Sequence, residues 1–154
     1  MEFNVSARNP NFALKERLTA AAAEANKLFD DLPPNVDEQT LRNAVREYVR
    51  IRYLLEPQDL AESEYFQQLG ETSLARGLGM PVETVRKTEF DSKCENTSST
   101  QAKKILLVIA LGKRLSISFK PDTTADITTI SELCDETYRL LAERAETPKG
   151  KARE

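Results

Sequence analysis

The residues able to do chemistry in this chain are hydroxyls, carboxylates, cations and two thiols, because none of its 154 residues is a histidine. That absence excludes Ser–His and Cys–His nucleophile pairs and imidazole ligation of a metal. Cys94 and Cys134 stand far apart and in no metal-ligand spacing, which suits a reducing compartment. No acid/base constellation converges, so an intrinsic enzyme is not expected. What stands out is a run of hydroxyls, Ser98, Ser99 and Thr100, immediately ahead of the most apolar stretch of the chain. A hydroxyl at the start of a helix faces unpaired backbone N–H groups and the positive end of the helix dipole. Such a position suits an N-cap.

The stretch behind those hydroxyls is SSTQAKKILLVIALGKRL, Ser98 to Leu115, with seven consecutive apolar residues from Ile105 to Leu111. An amphipathic surface helix would interrupt such a run with charge, so burial almost all round is expected. The run is too short to cross a bilayer. As a helix it would fray past Gly112. A β-hairpin over residues 104–119 competes, because Leu115, Ile117 and Phe119 alternate with polar residues and Gly112-Lys113 would serve as the turn.

The elements around this run read as helices. Phe12–Phe29 has an apolar face and an alanine seam at Ala20–Ala23. Asp37 is placed to cap a second helix over about residues 38–55, with Arg42, Arg46 and Arg50 on its outer, solvated face. Glu56-Pro57 marks a boundary, and a third helix is expected from about Leu60 to Leu78, crossing Gly70. DSKCENTSST reads as a loop. Thr128 or Thr129 is expected to cap a final helix, with Glu132 completing a capping box. Residues 1–10 read as an arm, and TPKGKARE as a disordered tail.

Lys+Arg is 22 against 25 Asp+Glu, a net charge of −3, without the basic excess usual in a nucleic-acid binder. With no apolar signal segment at the N-terminus, a cytoplasmic protein is expected and no membrane partner. One segment nonetheless points towards DNA. Leu74-Ala75-Arg76-Gly77-Leu78-Gly79-Met80-Pro81-Val82-Glu83-Thr84-Val85-Arg86-Lys87 resembles a helix-turn-helix of bacterial regulators. That likeness would lay Val82–Thr88 in the major groove, with Glu83, Thr84, Arg86 and Lys87 exposed. From Glu71 to Phe90, however, three acids balance three bases, which offers phosphates no net attraction.

The same residues, joined to the central run and the segment before the final helix, resemble an acyl carrier protein. Leu78-Gly79-Met80-Pro81-Val82-Glu83-Thr84-Val85, then ILLVIALGKRLSISF, then Ile127-Thr128-Thr129-Ile130 keep that family's order over about Leu60–Leu141. The resemblance implies an all-α protein, a carrier-like four-helix bundle over residues 57–146, and a helical central run. Residues 1–56 would then be an N-terminal helical extension, a hairpin packed on the bundle or docking a partner, and residues 147–154 a tail. It also implies 4′-phosphopantetheine on a serine at the start of the central helix, attached by a phosphopantetheinyl transferase. The arm would carry an acyl or aminoacyl thioester to a partner biosynthetic enzyme. The family's Asp-Ser-Leu is missing: the aligned position falls near Gln101, and Asp91-Ser92 lies too early. Ser98 and Ser99 are the candidate attachment points. Two alternatives stand beside this reading, a pseudo-carrier that keeps the bundle as an interaction module without the arm, and the helix-turn-helix DNA binder.

Overall fold

The computed structural model describes residues 10–33, 35–92 and 99–146. The rest of the arm, the tail, Cys94 and Ser98 lie outside the described residues. Among those described, the chain is all-α, with α1 (Pro10–Lys27), α2 (Glu38–Arg52), α3 (Pro57–Glu62), α4 (Phe66–Leu78), α5 (Val82–Ser92), α6 (Ser99–Leu115), α7 (Pro121–Asp126) and α8 (Ile130–Glu146). The central run is α6, a helix, and the hairpin alternative is overturned.

Local sequence sets most of the boundaries. The Asp37 side chain accepts a hydrogen bond from Thr40 N at 3.0 Å and starts α2. The expected capping box opens α8: Glu132 N donates to Thr129 Oγ1 at 3.1 Å, and Thr129 N donates to Glu132 Oε1 at 3.1 Å. Gly79 ends α4 in the left-handed region, at φ 68, a conformation a side chain would strain.

The single helix expected over about Leu60–Leu78 is instead two, α3 and α4. Ser63 is extended, and the chain there turns to meet the entry of α8. Tyr65 forms an isolated antiparallel bridge with Thr129. Phe66 N donates to Thr128 O at 2.9 Å, and Ile130 N to Glu64 O at 3.0 Å. Ser131 Oγ donates to Glu64 Oε1 at 2.7 Å. The break is made by partners far along the chain, which local propensity cannot register.

One buried cluster holds the helices together, and it takes residues from both sides of Pro57. Ala25, Leu41, Val45, Tyr48 and Val49 of α1 and α2 are buried with Leu69 of α4, Leu107, Val108 and Leu111 of α6, and Ile130 and Leu133 of α8. Small residues let α1 come close to α2: Ala21 and Ala25 in and beside the alanine seam are the buried ones. The arginine row of α2 is not simply solvated. Arg42 pairs with Glu38 and with Asp135 of α8, and Arg50 pairs with Glu47 while donating to Leu55 O.

Burial of α6 all round is overturned. Leu107, Val108 and Leu111 point into the core, but Leu106 is 63% exposed and Ile109 49%. Polar residues complete the inward stripe: Thr100 and Lys104 are buried on the same side. Nor does α6 fray at Gly112. It continues to Leu115, and Gly112 serves a close approach, since a Cβ there would lie 2.8 Å from Ile117 O.

Substitutions on α6 should divide accordingly. Leu111→Ala is expected to cost about 2–5 kcal/mol. Ile109→Ala is expected to cost about 1 kcal/mol or less, and Ile109→Asp to leave the protein folded. Urea denaturation of the three variants reads the difference.

Candidate functional site

The described residues place one conspicuous surface on α6. Ser99, Ala102, Leu106, Ile109 and Lys113 are all exposed, and their spacing of three and four residues puts them on one side of the helix. The stripe begins with a hydroxyl, carries two large apolar side chains and ends with a cation. Ser99 is the first residue of α6, while the other candidate, Ser98, lies outside the described residues.

The N-terminal end of α6 is fixed to α4 and α5 by a chain of polar contacts. Thr100 packs against Gly70, where a Cβ would stand 3.0 Å from Thr100 Cγ2. Thr100 Oγ1 donates to Gln67 Oε1 at 3.1 Å, and Gln67 Nε2 donates to Glu71 Oε2 at 3.0 Å. Arg86 Nε of α5 donates to Glu71 Oε1 at 3.1 Å. Glu71 is 5% exposed, so the guanidinium supplies its counter-charge, and removing it would leave the buried carboxylate with the Gln67 amide alone. Further along, the Lys104 ammonium is buried and donates to Ile127 O at 2.7 Å and Ala125 O at 3.4 Å. It closes the C-terminal end of α7, where the dipole favours a cation. Burial holds its pKa below the usual lysine range, with Asp126 and Glu132 pulling the other way.

A cavity of about 280 Å³ borders the C-terminal half of the stripe, lined by Val108, Ile109, Gly112, Ile117 and Phe119 among others. The helix-turn-helix segment forms as two helices, α4 and α5, joined through Gly79. Glu83, Thr84, Arg86 and Lys87 are exposed on α5, with Arg86 committed to Glu71.

Cys134 is 1% exposed, its Sγ 3.9 Å from Arg42 O, and burial pushes its thiol up to about 11. A thiolate is the reactive form, so this thiol is no nucleophile at neutral pH. Among the described residues no group of three or more Cys, Asp or Glu is placed to hold a metal. No helix among them is long and apolar enough to cross a membrane. The chain matches no family model, no curated protein and no solved structure.

The exposed stripe was within reach of sequence reasoning only in part. Helical spacing shows that seven consecutive apolar residues must cover every side of two turns. Nothing in the run itself says that one side is left without a partner.

Cys134 gives a direct check on this part of the structure. In a Cys94→Ser background at neutral pH, alkylation of Cys134 should proceed only at the rate of unfolding. The thiol ionises more easily unfolded, at the ordinary value of 9.0, than folded. Its contribution to stability is therefore complete below about 9 and is lost as pH rises towards about 11. The stability advantage of the protein over Cys134→Ala should shrink across that window, measured by urea denaturation. Rapid labelling of the folded protein contradicts the burial.

Proposed function

We propose that this chain is an acyl-carrier-like protein that works through the exposed side of α6, as a docking module for a biosynthetic enzyme. The observation behind the proposal is the stripe from Ser99 to Lys113, with Leu106 and Ile109 turned to solvent on a helix whose opposite side is core. Large apolar side chains grouped on one exposed helix face suit a protein partner. The left-handed Gly79 at the end of α4, the helical central run and the capping box at Thr129 support this reading, although residues 57–146 form six helices among the described residues and not the four of a carrier-like bundle.

Ser99 is the candidate for a phosphopantetheine arm among the described residues. Its side chain is exposed at the N-terminus of a 17-residue helix, where backbone N–H groups and the dipole favour a phosphodiester. Thr100 and Gln101 follow it instead of the family's apolar residue. When bound, the arm would supply a thiol that carries an acyl or aminoacyl group as a thioester. The chain's own residues would hold the phosphodiester and present the face that partners read, the phosphopantetheinyl transferase first among them.

Intact mass after co-expression with a broad-specificity phosphopantetheinyl transferase tests the arm. One added arm, abolished by Ser99→Ala, is expected if Ser99 carries it. An unchanged mass would remove the carrier function and leave the docking module without an arm.

The α4–Gly79–α5 arrangement supports a second reading, DNA binding through α5. Because Arg86 is committed to Glu71, Lys87→Ala is the cleaner probe. No retardation of promoter or random duplexes is expected at physiological salt. Retardation that Lys87→Ala weakens, with a steep salt dependence, would put DNA first.

A further inference from the structure

A second site lies beside the α6 stripe, in a cavity of about 190 Å³ where α1, the end of α2 and α6 meet. Its walls are Leu18, Tyr53, Leu106 and Leu107, and two cations, Arg52 and Lys103, enter it from α2 and α6. Neither cation has an acidic partner among the described residues. Arg52 lies over the ring of Tyr48, 5.6 Å from its centroid, and Lys103 over the ring of Tyr53 at 4.8 Å. Two other arginines of α2, Arg42 and Arg50, do hold carboxylates. Tyr53, a residue of the wall, has a buried hydroxyl with no hydrogen-bond partner among the described residues. Unpaired buried polar groups and neighbouring like charges lower the stability of the free protein, and a native fold keeps few of them without a use.

We propose that this cavity is a binding site for a small organic monocarboxylate with a short apolar body. The carboxylate would sit between Lys103 and the planar guanidinium of Arg52, whose fork matches a carboxylate, and the body would lie against Leu18, Leu106 and Leu107. The volume is below the ~300 Å³ at which drug-sized pockets begin, so it suits a short acyl or aryl group and not a long chain. Burial holds the Lys103 ammonium below its ordinary pKa range, and the charge of Arg52 adds to that. A bound anion relieves both effects. The site stands apart from the docking reading: it needs neither Ser99 nor an arm, although Leu106 borders both surfaces.

The test is a titration of the full chain with hexanoate, with hexanol and inorganic phosphate as comparisons, followed by heteronuclear NMR. Hexanoate is expected to saturate one site, shifting resonances of Leu18, Leu106 and Leu107. Phosphate lacks the apolar body and hexanol the charge, and both should bind about tenfold more weakly or worse. Lys103→Met is expected to fold at least as stably as the parent, because it removes a desolvated cation, and to lose about tenfold or more in hexanoate affinity. Lys27→Met makes the same charge change at the exposed end of α1 and should leave the affinity unchanged. Hexanol or phosphate binding as tightly as hexanoate would overturn the proposal. So would a Lys103→Met protein that keeps its affinity, or the absence of any saturable hexanoate shift.

Discussion

The fold depends on the inward side of α6. Leu107, Val108 and Leu111 are buried in one cluster with side chains from α1, α2, α4 and α8, and each large side chain fully buried contributes about 1.5–3 kcal/mol. The polar residues on the same side act as ties and not as intrusions, because each has its partner: Thr100 holds α4, and Lys104 holds the end of α7. A buried ammonium without those carbonyls would be far more costly than the bonds are stabilising. The identity of α6 as core and its polar contacts are therefore one arrangement.

That arrangement also explains the surface. A helix anchored along one side by apolar and polar contacts can leave its other side bare without loss of order. Leu106 and Ile109 are then available to a partner on a rigid support, and Ser99 is held at the helix entry by the neighbouring contacts of Thr100. The cavity with Arg52 and Lys103 arises from the same geometry, where α6 passes the end of α2. Docking and ligand binding are both readings of what α6 does not use for folding.

The sequence made the ends of helices more legible than their surroundings. Asp37, Glu132 and Gly79 act through atoms within a few residues, so their roles could be read directly. The break between α3 and α4 could not, because Glu64, Tyr65 and Phe66 answer to Thr128, Thr129, Ile130 and Ser131. The apolar run of α6 misled in a different way. Seven apolar residues contain no polar marker to fix the phase of the helix, so the outward turn of Leu106 and Ile109 was invisible. Thr100 and Lys104, which look like surface residues by type, are buried because acceptors in α4 and at the end of α7 wait for them. Of the candidate site, the hydroxyl at the start of α6 was legible and the apolar face behind it was not.

The central claim is that α6 belongs to a single core shared by the helices on both sides of Pro57. Thermal melting of residues 57–154 alone, followed by far- and near-UV circular dichroism, tests it most directly. The account predicts helical far-UV signal without a cooperative transition, since Leu41, Val45, Tyr48 and Val49 would be missing from the cluster that also holds Leu107, Val108 and Leu111. A sharp, cooperative melt of that segment, with near-UV signal intact below it, would contradict the shared core and make the first two helices an appendage.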